Sequence, residues 1–123
     1  MDSERTIVVL GASGDPERYS YRAVARLLEK GFRVVPVNPK AGEILGMLVK
    51  ASLGEIQEAV DTLTVYLAPE RSTPLAGAIR ALKPGRVIFN PGAENPALEA
   101  DLEAAGIPCL RACTLVLLST GRF

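Results

Sequence analysis

A short run of β-branched apolar residues that breaks into a glycine-bearing loop, then an amphipathic stretch, then a second apolar run leaves a chain very few ways to fold. Residues 6–39 follow that plan: T-I-V-V-L from Thr6 to Leu10, a loop from Gly11 to Pro16, an amphipathic stretch to Lys30, and R-V-V-P-V from Arg33 to Val37 ending at Asn38-Pro39. This is a strand-helix-strand unit. Ser20, Val24, Leu27, Leu28 and Gly31 share one helical face, and Lys30-Gly31 is an ordinary helix stop. The loop joins a buried strand to a helix N-terminus, where unpaired N–H groups and the helix dipole favour a phosphate. Arg18, Tyr19 and Arg22 stand at or near that start, where cations oppose the dipole unless an anion is present.

The loop reads G-A-S-G, with Gly11 and Gly14 bracketing Ala12 and Ser13, so the dinucleotide fingerprint G-x-G-x-x-G is only partly present. Ordinary turn chemistry accounts for two loop glycines about as well as a ligand does. After the second strand, an NAD-binding domain places an acid for the ribose hydroxyls, and here Asn38-Pro39 stands instead.

The rest of the chain repeats the theme. Residues 40–58 carry three glycines and read as an extended loop, with a strand-like piece near Met47 to Val49 and a helical turn from Leu53. A third strand spans Thr62 to Leu67 and stops at Ala68-Pro69-Glu70. A helix follows from Thr73, with Pro74 first and Leu75, Ala78, Ile79 and Leu82 as its apolar stripe. The fourth strand is Arg86 to Phe89; a loop then leads to Asn95 as helix cap and Pro96 as first helical residue, with Leu98, Leu102 and Ala105 facing inward and Gly106 closing. A fifth strand covers Ile107 to Leu110. The tail from Arg111 to Phe123 is too short to classify and is expected across the sheet edge. The implied class is α/β, a Rossmann-like doubly wound three-layer fold with a five-stranded, mainly parallel sheet. Ligands of such sheets lie outside the carboxyl ends of the strands. Four loops meet there, at 11–18, 38–40, 68–73 and 91–95.

Composition narrows the function. In 123 residues, 14 basic and 14 acidic side chains cancel, which argues against wrapping nucleic acid or lying on an anionic membrane. No apolar run is long enough to span a bilayer and Met1 to Arg5 lack a signal pattern, so a single cytoplasmic domain over 1–123 is expected. The chain has no histidine, and its two cysteines, Cys109 and Cys113, do not form a C-x-x-C pair. A zinc site, a Ser-His-Asp triad and a phosphohistidine are thereby disfavoured, and no metal ligand is assigned. Cys109 reads as core, Cys113 as a small packing residue or a thiol sensor, and Glu94 as a polar helix start rather than an acid or base. No catalytic residue is named.

These pieces in register, G-A-S-G-D-P-E-R-Y-S-Y, V-P-V-N-P, G-E-I-L-G followed by S-L, A-P-E, N-P-G-A-E-N and a closing A-G-I-P before a cysteine, resemble the small stand-alone CoA-binding domain proteins. That family is similar to the N-terminal CoA-binding domain of the succinyl-CoA ligase α subunit. The resemblance runs along nearly the whole chain and implies CoA or an acyl-CoA as ligand. It puts the diphosphate on the first loop (Gly11, Ala12, Ser13, Gly14, Arg18, Ser20) and the adenosine near Val37, Asn38, Pro39 and Lys40. Further contacts are implied from Ala68, Pro69, Pro91, Gly92, Glu94 and Asn95. Arg18, Arg22 and Lys40 are the cations expected to face the strand ends and the 3′-phosphate. The chain departs from the family at Tyr19-Ser20, where many members have Pro-Ser, and at Arg111-Ala112-Cys113, where many have Asp-Arg-Cys then Glu-His. The ligase's catalytic histidine lies in another domain, so ligase chemistry is excluded. A non-enzymatic binding module leads; an NAD(P)-dependent enzyme or a thiol redox sensor in the same cleft remains the alternative, and a homodimer stays open.

Overall fold

The computed structural model describes residues 4–40 and 42–123. In chain order the elements are β1 (Thr6–Leu10), α1 (Tyr19–Glu29), β2 (Arg33–Val37), β3 (Glu43–Ile44), β4 (Met47–Leu48), a 3-10 turn (Leu53–Glu55) and β5 (Thr62–Val65). Then come α2 (Pro69–Ser72), a 3-10 turn (Thr73–Leu75), α3 (Ala76–Leu82), β6 (Arg86–Phe89), α4 (Pro96–Ala104), β7 (Cys109–Arg111) and α5 (Thr114–Ser119). Of the stretch Met1 to Arg5, residues 1–3 lie outside the described residues.

The main sheet runs β2-β1-β5-β6-β7 with every pair parallel. Its order therefore reverses between β1 and β5, which is where a doubly wound sheet opens a crevice at its carboxyl end. Both faces are covered. Ile7, Val9 and Val34 pack with Val24, Leu27, Phe32 and Leu118 on the α1 and α5 side. Val8, Leu10, Leu63, Val65, Val87 and Phe89 pack with Ile79, Leu98 and Leu102 on the α3 and α4 side. Alternate residues of one strand feed opposite layers because the side-chain period is two. Each fully buried Leu, Ile or Phe contributes roughly 1.5–3 kcal/mol. Pro36 is tolerated because β2 is the edge, where only the isolated bridge from Lys50 to Val37 adds to it.

Several boundaries differ from the sequence reading. β5 ends at Val65, not Leu67; Tyr66 still donates its N–H to the Leu10 carbonyl at 2.9 Å, and Tyr66 and Leu67 line the crevice. Helical backbone begins at Pro69, not Thr73: Pro69 takes the first helical position of α2, and the chain runs on through the 3-10 turn at Pro74 into α3. β7 is shifted to Cys109–Arg111. Ala105 is exposed, since α4 ends at Ala104 and only Leu98 and Leu102 turn inward as buried residues. The tail forms α5, and it lies beside α1 on the sheet face, with Leu118 in the core there, rather than across the edge. Asn90 holds it: its Oδ1 accepts the Thr114 N–H at 2.8 Å while its Nδ2 donates to Thr64 Oγ1 at 2.7 Å. The strand-like piece near Met47 is one arm of a small antiparallel hairpin with β3.

Candidate functional site

At the switch point a cleft of about 640 Å³ opens over the carboxyl ends of β1, β2 and β5. The first loop forms one wall, with Gly11, Ala12, Ser13, Gly14, Arg18, Tyr19 and Ser20. Asn38, Lys40, Gly42, Glu43, Ile44 and Val49 form the second, and Tyr66, Leu67, Arg71 and Pro91 the third.

The first loop is bent by Gly11, whose φ of +87° suits glycine and whose position admits no side chain, since a Cβ there would lie 2.8 Å from Leu67 Cδ2 and 3.3 Å from the Tyr66 carbonyl carbon. Its N–H and that of Ala12 both donate to the Val37 carbonyl, at 3.0 and 3.1 Å. Asn38 fastens the same turn from the side, its Nδ2 donating to the Ala12 carbonyl at 2.7 Å and its Oδ1 accepting the Lys40 N–H at 2.8 Å. A carboxylate could not make the first of these bonds, which is the physical reason an amide occupies the position where NAD-binding domains place an acid.

Beyond that turn the loop satisfies itself only in part. Asp15 N–H donates to Ser13 Oγ, Glu17 N–H to Asp15 Oδ1 and Arg18 N–H to the Asp15 carbonyl, each at 3.0 Å. The N–H groups of Ser13, Gly14, Tyr19 and Ser20 find no acceptor among the described residues. Helix α1 starts at Arg18 with no side-chain cap and no acid in its first turn. Four unpaired donors in and before the first turn of an 11-residue helix, with Arg18 beside them, can act as an anion cradle. Gly14 differs from Gly11, because a Cβ there meets nothing within 4 Å.

The cleft gathers nine of the expected residues: Gly11, Ala12, Ser13, Gly14, Arg18, Ser20, Asn38, Lys40 and Pro91. Val37, Pro39, Ala68, Pro69, Gly92, Glu94 and Asn95 do not line it. Val37 is 3% exposed with its side chain in the core. Asn95 is a joint of the fold: its Oδ1 caps the Leu98 N–H at 3.2 Å, and its Nδ2 donates to Ser72 Oγ and Thr73 Oγ1, both at 2.9 Å. Glu94 Oε1 accepts the Gly92 N–H at 2.9 Å, the behaviour of a polar helix approach. Arg22 is corrected outright. It stacks on the Tyr19 ring at 5.5 Å and lines a separate, mostly apolar groove between α1 and α5, because it shares with Ala25, Arg26 and Glu29 the α1 face that borders that groove.

Arg71 takes the place that Arg22 was expected to hold. It lies within the 68–73 segment, but only the α2 helix turns it toward the cleft; Pro69 after Ala68 is the sequence signal for that helix. Tyr66, Leu67, Ile44 and Val49 carry no signal of their own, being apolar or aromatic residues in strand-like runs. Of the two thiols, Cys109 is half-buried and burial pushes it up to about 11, with Glu103 and Glu99 adding to the rise. Cys113 is half-buried at the start of α5 and does not line the cleft. Among the described residues no helix is long and apolar enough to cross a membrane, and no group of three or more His, Cys, Asp or Glu could hold a metal.

A family model described as a CoA binding domain matches residues 5–119. The crystal structure of an uncharacterized protein superposes with a TM-score of 0.92 at 42% identity, covering 97% of this chain and 98% of that one. YneT, an uncharacterized protein of Bacillus subtilis, is 31% identical over 71 residues, which are 58% of this chain and 53% of that protein. The alpha subunit of an ADP-forming acetate–CoA ligase II from Pyrococcus furiosus is 37% identical over 68 residues, 54% of this chain and 15% of the subunit. The match thus spans about half the length of one curated relative and a small part of the other.

Proposed function

This chain belongs to the CoA binding domain family, and from that premise we propose that it holds CoA or an acyl-CoA in the cleft at the switch point without transforming it. The diphosphate lies on the first loop and the start of α1, against the N–H groups of Ser13, Gly14, Tyr19 and Ser20. One observation carries this reading: α1 opens onto the cleft with those donors unpaired, no acid in its first turn and Arg18 at its cap. Such an end is unfavourable alone and favourable beneath an anion.

Lys40 and Arg71, on the other two walls, supply the charge that CoA needs beyond a bare diphosphate, and a charge-assisted contact contributes about 1.5–3 kcal/mol. The adenosine lies along Asn38, Lys40 and the hairpin side chains Ile44 and Val49. Asn38 is already committed to the loop, so the ribose hydroxyls of NAD meet no carboxylate there. No general acid or base is assigned. Thioester hydrolysis that disappears in Glu94→Gln would argue for an enzyme instead.

The test is calorimetry with CoA, dephospho-CoA and NAD at one salt concentration. CoA binds most tightly, dephospho-CoA less so, and Lys40→Ala or Arg71→Ala narrows the gap between them. Equal affinity for NAD, or no heat with any of the three, overturns the reading.

A further inference from the structure

Beneath the cleft, three hydroxyls and one amide from three separate segments meet in the interior. Asn90 is 2% exposed, and Thr64 and Thr114 are wholly buried. Asn90 Oδ1 accepts the Thr114 N–H at 2.8 Å, so its Nδ2 is the donor side, giving one bond to Thr64 Oγ1 at 2.7 Å and another to the Val65 carbonyl at 2.9 Å. Thr64 Oγ1 and Thr114 Oγ1 lie 2.8 Å apart. Two hydroxyls sharing one bond use one of their two protons. Thr64 already accepts from the amide, and the arrangement that uses its own proton has it donate to Thr114. The Thr114 proton is then left over.

Tyr66 faces this pair. Its phenol is close enough to both threonine hydroxyls to be influenced by them, yet its Oη makes no hydrogen bond, the one buried side-chain oxygen or nitrogen in that state among the described residues. Burial pushes the phenol up to about 12, more than the two threonines lower it, so it stays a donor at neutral pH. Asn90, Thr64 and Thr114 are bonded to one another, and the phenol proton beside them has no acceptor inside the fold. Meanwhile Tyr66 is one of the residues that line the cleft. A buried polar group without a partner is rare in folded proteins and is a sign of a role outside the apo fold.

We propose that Tyr66 is a ligand-contacting donor: its hydroxyl, which has no partner in the fold, gives its proton to an acceptor oxygen of the molecule bound in the cleft. The inference rests on the cofactor reading above and adds to it a specificity residue. Reaching the ligand takes a rotamer change of Tyr66. That change breaks no hydrogen bond of the fold, because the hydroxyl has none to lose. Two oxygens of the proposed cofactor class have the required chemistry, a phosphate oxygen and a thioester carbonyl oxygen.

Tyr66→Phe removes the hydroxyl and keeps the ring. Wild-type protein is first titrated with CoA; absence of binding there refutes the cofactor reading rather than the role of Tyr66. Given wild-type binding, CoA, acetyl-CoA and ADP are titrated into both proteins. Loss on the order of tenfold for CoA and ADP alike assigns the contact to phosphate, and the same loss confined to acetyl-CoA assigns it to the acyl carbonyl. Without ligand, the variant melts at or above the wild-type temperature, since no native bond has been removed. Unchanged affinity for all three ligands overturns the proposal. So does a variant that melts several degrees lower, because the phenol then serves the fold.

Discussion

Helices α1 and α4 both start at the carboxyl end of the sheet, and they start in opposite ways. α4 is closed by its own residues: Asn95 Oδ1 accepts from Leu98 N–H, Glu99 Oε2 accepts from Asn95 N–H at 2.8 Å, Pro96 removes one orphan donor, and Glu99 faces the dipole. α1 has an arginine at its cap, no cap bond and no acid in the first turn. Forgoing a cap costs about 1 kcal/mol. The difference teaches that an open helix end is not a default of this fold; the same chain caps one end with its own residues and leaves the other, at the cleft, without a cap.

The largest effect that would sharpen this contrast is at Gly11. Gly11→Val meets a positive φ and a contact of 2.8 Å at once, and the two together should lower stability by about 2–5 kcal/mol in urea unfolding. A variant as stable as the parent would mean that the first loop is not held as described. Asn95→Ala comes next. It removes the α4 cap and orphans the Ser72 and Thr73 contacts, at an expected cost of about 2–4 kcal/mol, while CoA affinity of the folded fraction stays within about threefold, or 0.7 kcal/mol. A large affinity loss with unchanged stability would reverse the assignment of Asn95 to the fold.

Gly14→Val is the complementary experiment on the open end. Its Cβ meets nothing in the fold, so the melting temperature should hold while affinity falls by roughly tenfold to a hundredfold, or about 1.4–2.7 kcal/mol. Ligand binding equal to the parent's would remove the first loop from the site. The smallest effect lies at the amino end of the sheet and serves as a control. Burial raises the Asp61 carboxyl, but hydrogen bonds from Arg5 and Thr62 and the charges of Arg5 and Arg86 outweigh it, so its pKa is lowered in the fold. A carboxyl shifted that way stabilises above its unfolded value of about 4 and loses that contribution as pH falls below it. Asp61→Asn should flatten the acid limb of a melting-temperature profile slightly, and leave CoA binding untouched; a change in affinity would show that the two ends of the sheet are coupled.

Some of the candidate site was legible in the residues, and the reason is locality. Gly11 to Arg18 announces a strand-to-helix loop through chemistry spanning eight consecutive residues, and Asn95-Pro96 announces a helix start in two. Arg71 was harder. Its segment reads as a strand-end loop because Pro74 offers a helix start that competes with the true one at Pro69, and a cation on a loop has no direction until the helix gives it one. Arg22 shows the converse error, since nearness to a helix start in sequence does not fix which side of the helix a side chain leaves from.

By itself the sequence determined the alternation of strands and helices, the absence of histidine chemistry, the turn at Gly11 and the cap at Asn95, because periodicity, φ preference and capping act between near neighbours. Only the tertiary structure decided that β5 lies beside β1 and opens the crevice between them, that Asn38 ties the Ala12 carbonyl across 26 residues, and that Asn95 binds Ser72 across 23. It alone brought Thr64, Asn90 and Thr114 together and left the Tyr66 hydroxyl beside them without a partner. Hydrogen bonds between distant segments depend on which strands pair and in what register, and no local pattern of residues records that.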